Sequence, residues 1–158
     1  MTALLNEIIA LGGSTAHLRP FTQERTRQLY IAPPLGISCT LAEDGGRIVG
    51  FQALEWCDPA WTGPDRLPDD WAVIASFVAP DMQGRGIGRA LWAVTQAAAR
   101  DAGVTAIDAT IRADNAAGLH YYGGLGFTDY ARLRGIPLSD GRPVDRVRKR
   151  FDLGRNVR

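Results

Sequence analysis

A chain of 158 residues, 46% hydrophobic and 22% charged, with a net charge of +1, fits one globular domain over residues 1–158. That balanced charge excludes the basic footprint of a nucleic-acid binder and offers no pull toward a membrane surface. No apolar run approaches the ~20 residues that span a bilayer, and Met1–Ala10 carries Glu7 and no basic residue, unlike a secretory leader.

Leu4, Leu5, Ile8, Ile9 and Leu11 recur at helical spacing, and Gly12-Gly13 stops them. Ser14 to Thr22 reads as loop. Thr22 is placed to cap a second helix through Tyr30, which Pro33-Pro34 ends. A strand follows over Ile37 to Ala42, then a hairpin turn at Glu43-Asp44-Gly45-Gly46 and a returning strand from Arg47 to Trp56. Cys57 to Pro68 holds three prolines and Trp61 and reads as a loop of the kind that covers a binding site.

Trp71 to Val78 is an unbroken apolar strand, expected to be buried on both faces, and Pro80 ends it. In the helix Ile87 to Ala102 the apolar stripe is Ile87, Leu91, Val94 and Ala98, with Gly103 at its end. Val104 to Ile111 is a strand, Asn115 to Tyr122 a short helix, and Phe127 to Leu133 and Val144 to Leu153 two more strands. Helices interspersed with strands in this order predict an α/β (α+β) fold with a mixed sheet. Cys39 and Cys57 stand apart with no CxxC, so they read as two buried thiols of a reducing, cytoplasmic setting. His17 and His120 are the only histidines and no cluster surrounds them, so no metal site is expected.

The densest chemical signal is Gln83-Gly84-Arg85-Gly86-Ile87-Gly88-Arg89. It lies where a strand turns into a helix, whose free N–H groups and partial positive charge suit a phosphate. It is not a P-loop, since no Gly-Lys-Ser/Thr occurs. Gly84 and Gly86 fit a dinucleotide fingerprint, but its third glycine falls on Arg89, where close helix–strand packing would need glycine.

Gln83-x-x-Gly86-x-Gly88 instead resembles the pyrophosphate-binding turn of the GNAT family of N-acetyltransferases. Asn115 opening a helix, Tyr122 seven residues on, and Gly126-Phe127 opening the next strand resemble that family's second signature, and Val78-Ala79-Pro80 its Val-x-Pro. The resemblance covers Ile37 to Leu153. The family's usual first strand has no counterpart before the helix at Leu4; either it is absent or the chain begins late. The opening from Leu5-Asn6-Glu7 to Pro20-Phe21-Thr22 is similar to the phosphinothricin and amino-acid N-acetyltransferase branch, which acylates free α-amino groups.

The resemblance implies a central, mostly antiparallel sheet with helices on both faces and a splayed strand pair at the cofactor site. It implies acetyl-CoA as co-substrate, bound by Gln83, Gly84, Arg85, Gly86, Ile87, Gly88, Arg89 and Asn115, with its pantetheine arm along Phe77, Val78 and Ala79. It implies a bulge near Val78, whose N–H would face the developing oxyanion, and Tyr122 beside the departing thiol. A phenol with pKa ~10 above a thiol at ~8.5 makes that proton transfer feasible rather than compelled. Tyr121 is the alternative if the helix register shifts by one. A homodimer is a further family expectation.

An α-amino group with pKa about 7.7–8.0 needs little deprotonation, so a base is useful rather than obligatory. The amino-acid branch carries a Glu on the strand of Trp71, where this chain has Ala72-Val73-Ile74. Glu55 is the first candidate base, followed by Asp70, Asp58 and His120. His17 is placed where the fold often meets substrate, though as a surface or capping residue. Trp56 and Trp61 are candidate walls of an acceptor pocket for a small primary amine. The competing expectations are a peptide or protein acceptor, and an acyl-CoA-binding module without catalysis.

Overall fold

The computed structural model describes residues 1–154; the last four positions of the expected domain, 155–158, lie outside the described residues. Helix α1 (Thr2–Leu11) buries Leu4, Leu5, Ile8 and Ile9. Helix α2 (Gln23–Thr26) is capped by Thr22, whose hydroxyl accepts from Arg25 N–H, and runs into one π-helical turn (Arg27–Ile31). The helix read through Tyr30 is therefore split, and the wider turn closes with Ala32 N–H donating to Arg27 C=O at 2.8 Å. Strands β1 (Gly36–Asp44), β2 (Arg47–Trp56) and β3 (Trp71–Val78) follow, then α3 (Ile87–Ala102), β4 (Ala106–Arg112), α4 (Ala116–Gly124), β5 (Thr128–Pro137) and β6 (Pro143–Asp152). The hairpin turn shrinks to Gly45-Gly46, because β1 extends to Asp44. Gly123 and Gly124 stay inside α4, with Asn115 as its N-cap.

The six strands form one sheet in the order β1-β2-β3-β4-β6-β5. Only β3 and β4 run parallel; the other four pairings are antiparallel. Period-2 alternation sorts the side chains into two cores. On one face Val49, Phe51 and Ala53 pack with α1, Phe21 and Tyr30. On the other, Leu54, Ala72, Ile107, Ala109 and Ile111 pack with Trp92 of α3 and Tyr122 of α4. No helix among the described residues is long and apolar enough to cross a membrane.

Two expectations about packing are corrected. Only Ala72 of β3 is fully buried and the rest of the strand is half-buried, because β3 borders an open cleft. The buried stripe of α3 is Leu91, Trp92, Thr95 and Ala99, while Val94 is 54% exposed. Trp92 anchors that stripe and rotates the helix by a residue from the aliphatic pattern. Cys57 is buried, Cys39 is only half-buried, and both are free.

Candidate active site

The parallel pairing of β3 with β4 lasts for three residues, Trp71↔Ala106, Ala72↔Ile107 and Val73↔Asp108. Beyond that point each strand keeps its other partner: β3 follows β2 to Val78↔Gly50, and β4 follows β6 to Arg112↔Arg146. A wedge-shaped gap opens between them. The β2–β3 register is continuous, so the bulge expected near Val78 does not form; divergence from β4 opens the strand instead. Ala79 N–H donates to Val49 C=O at 2.8 Å. By antiparallel alternation the N–H groups of Val78 and Ser76 then point away from β2, into the gap.

At the wide end of the gap lies the glycine turn. Gly84 and Gly86 have φ of 74° and 81°, left-handed values that side chains rarely adopt. Gly86 caps α3 without a side-chain cap, so the first N–H groups of that helix stay available to an anion. Arg85 and Arg89 are exposed beside it, and Gln83 Nε2 approaches the Val78 carbonyl at 3.5 Å. Gly88 has a different reason: a Cβ there would sit 2.6 Å from Tyr121 Cε2.

A polar network runs from that helix into the gap. Proton bookkeeping fixes its direction. The Gly88 carbonyl only accepts, so Tyr121 O–H donates to it at 2.8 Å. The group 3.1 Å from Tyr121 Oη must then be the donor, which makes it the Gln52 amide NH2. The other amide hydrogen goes to Ser76 Oγ at 2.7 Å. Ser76 Oγ and Tyr122 Oη, 2.8 Å apart, hold two hydrogens for one mutual bond. One hydrogen is left over in a pair that lines the gap. Burial pushes the Tyr122 phenol well above its usual range, against the opposing bond from Ser76, so it stays protonated.

The gap contains a cavity of about 220 Å³. Ser76, Tyr121 and Tyr122 line one side; His17, Tyr30, Phe77, Arg112 and Arg146 line the other. His17 arrives on the loop after α1, which is held from three directions. Asn6 brackets Phe21 through both backbone groups at 2.7 and 3.0 Å, Arg112 donates to Thr15 C=O at 3.0 Å, and Asn115 Nδ2 donates to Ser14 C=O at 3.0 Å. His17 Nε2 lies 2.7 Å from Tyr30 Oη. Burial, then the Glu55 charge, pushes Tyr30 up to about 12, so its hydrogen stays on; which of the two groups donates is set by the His17 tautomer. Burial, with the Arg25 charge adding to it, lowers the His17 pKa and keeps the ring neutral.

The model of the acetyltransferase (GNAT) family matches residues 5–127. The chain belongs to that family. A mycothiol acetyltransferase of Tsukamurella paurometabola is 39% identical over 90 residues, 57% of this chain and 28% of that protein. One from Rhodococcus opacus is 34% identical over 119 residues, 70% of this chain and 36% of that protein. The chain thus spans about a third of the length of the curated relatives it matches. In fold it is similar to the Salmonella typhimurium yncA protein solved with acetyl-CoA, with a TM-score of 0.74 at 23% identity, over 99% of this chain and 88% of that one. It is also similar to a Sinorhizobium meliloti phosphinothricin acetyltransferase in complex with acetyl-CoA, with a TM-score of 0.77 at 18% identity, over 97% of this chain and 81% of that one.

Of the residues singled out in the sequence, His17, Phe77, Asn115, Tyr121 and Tyr122 line the cavity, so His17, expected as a surface or capping residue, faces the cavity instead. Asn115 caps α4 through Gly118 N–H at 2.9 Å as well as holding Ser14. Val78 and Ala79 lie beyond the cavity on the stretch leading to the glycine turn, and Ala79 is buried in the first core. Glu55 does not line the cavity; it is half-buried opposite Val73, where β3 and β4 are still paired. Asp58, Asp70 and His120 are exposed and outside it. Trp61 is 52% exposed and donates to Pro64 C=O, and Trp56 packs against the second core, so neither walls the cavity. Gln52, Ser76, Tyr30, Arg112 and Arg146 were not singled out. Gln52 had a signal: an amide inside the apolar run from Ile48 to Leu54 is either strained or functional.

Proposed function

We propose that the chain transfers an acetyl group from acetyl-CoA to a small primary amine in the gap between β3 and β4. Acetyl-CoA supplies a thioester, and the overall exchange forms one C–N bond, breaks one C–S bond and moves one proton from nitrogen to sulfur. The residues fit that co-substrate: free N–H groups at the start of α3 suit its phosphates, and an unpaired strand edge suits its amide-bearing arm. Ser76 and Val78 N–H groups point where an oxyanion would need donors.

The observation that carries this reading is the leftover hydrogen of the Ser76–Tyr122 pair. Tyr121 has committed its own hydrogen to Gly88, so Tyr122 is the phenol placed to protonate a leaving thiolate. On the opposite side Tyr30 Oη is placed to take the amine proton while passing its own to His17 Nε2. That assigns the base to the His17–Tyr30 pair rather than to Glu55. A cavity of about 220 Å³, below the ~300–1,000 Å³ of drug-sized sites, favours a small acceptor over a polypeptide. The free thiols Cys39 and Cys57 favour a cytosolic setting. A homodimer follows from the family resemblance and is checked by sedimentation.

Thiol release from acetyl-CoA, screened over an amine panel, tests the proposal. Stimulated release by at least one small amine is the expected result. Tight CoA binding with no stimulated release by any amine would leave only an acyl-CoA-binding module.

A further inference from the structure

The cavity carries a cation that nothing in the acetyl-transfer chemistry uses. Arg146 of β6 stands opposite Arg112 of β4 and lines the cavity beside Thr110. Its Nε is buried and has no partner among the described residues. The neighbouring arginines are committed. Arg112 is 6% exposed and holds both Asp114 oxygens at 2.9 and 2.6 Å as well as Thr15 C=O. Arg148 is buried against Asp108 and reaches Asp65 C=O. No ion pair among the described residues includes Arg146. Burial and the Arg112 charge both disfavour its charged form, yet a guanidinium keeps its proton in a protein. A half-buried guanidinium without an anion is costly, and the cavity is where an anion would reach it.

We propose that Arg146 binds the carboxylate of the acceptor, so the acceptor is an amine that also carries a carboxylate, as a free amino acid does. This rests on the acetyl-transfer reading above. The planar fork of Arg146 matches a carboxylate bidentately. The phosphates of the co-substrate have their own place at the α3 turn, on the other face of the sheet. The N-terminal residue of a polypeptide has its α-carboxyl group tied up in a peptide bond, so it presents no α-carboxylate to Arg146.

Calorimetry and enzyme assays on matched pairs test this. Glycine, L-alanine, L-methionine, L-aspartate and L-glutamate are each compared with the corresponding α-carboxamide. Wild type is expected to bind at least one acid more tightly than its amide, by about 10- to 150-fold. Arg146→Gln is expected to erase that gap and leave the KM for acetyl-CoA unchanged. Arg146→Lys keeps the charge without the fork and should retain part of the gap, which keeps the test readable if Arg146→Gln unfolds. Equal binding of acids and amides, no binding of either, or equal weakening of both in the variants would overturn the proposal. So would an effect confined to the acetyl-CoA KM. Carboxylate-dependent binding without any thiol release would sink the acetyl-transfer reading while leaving the Arg146 site standing.

Discussion

Tyr122 and Tyr121 are adjacent, yet their hydrogens have different fates, and that difference comes from one carbonyl. Gly88 C=O takes the Tyr121 hydrogen, which orients the Gln52 amide, which saturates one lone pair of Ser76. Ser76→Ala removes a bond to the phenol and is expected to lower kcat by about 3- to 10-fold, measured by thiol release. The His17 ring makes a pH prediction with a defined sign. Its pKa is lowered, so the protein resists protonation that the unfolded chain accepts near 6.5. The stability it contributes is full above that value and is lost as pH falls toward the folded pKa. The acid limb that His17 adds to kcat/KM should accordingly lie below pH ~6.5, separate from the substrate amine's own limb near pH ~7.7–8.0, and that lower limb should disappear in His17→Gln. An acid limb unchanged in His17→Gln would assign the base elsewhere.

At the scale of elements, the loop after α1 is positioned by residues distant in sequence. Arg112 at the end of β4 and Asn115 at the start of α4 both hold its backbone carbonyls. Asn115→Ala loses a helix cap, at about 0.5–2 kcal/mol, and frees Ser14; hydrogen exchange should rise over residues 13–20 as well as in α4. Gly88→Ala places a methyl 2.6 Å from the Tyr121 ring and should cost about 1–3 kcal/mol in chemical unfolding while disturbing the Gln52–Ser76 network. Much of this architecture was legible in advance. The bounds of β2, β3 and α3 follow from Gly and Pro punctuation, and the sequence singles out the glycine turn, Asn115 and Tyr122 as the proposed co-substrate half of the site. The proposed acceptor half was less legible: the sequence places His17 near substrate but as a surface or capping residue, and does not single out Arg146. His17 enters the cavity only because three distant side chains fold its loop inward, and Arg146 faces the cavity only through strand register within a run of arginines on β6.

Across the whole molecule, the sheet narrows to three paired residues at β3–β4, and a buried ion pair ties β4 to β6 in the half beyond that split. Asp108 of β4 is 2% exposed and accepts from Arg148 Nε at 3.1 Å, Thr110 Oγ1 at 2.9 Å and the Tyr130 hydroxyl. Arg148 in turn donates to Asp65 C=O at 3.2 Å and fastens the Pro-rich loop to the sheet. Asp108→Ala leaves Arg148 buried without its partner and should destabilise by about 3–5 kcal/mol in denaturant unfolding. The split the pair tolerates is what exposes the edge of β3 to a ligand, and the claim that acetyl transfer occurs there rests on Tyr122. The most direct measurement is turnover of Tyr122→Phe beside Tyr121→Phe, from about pH 6 to about pH 9, a span bracketing the pKa values of an α-amine and a thiol. The structure predicts a loss of at least about 100-fold in kcat for Tyr122→Phe and a smaller one for Tyr121→Phe. Wild-type turnover in Tyr122→Phe across that range would contradict it.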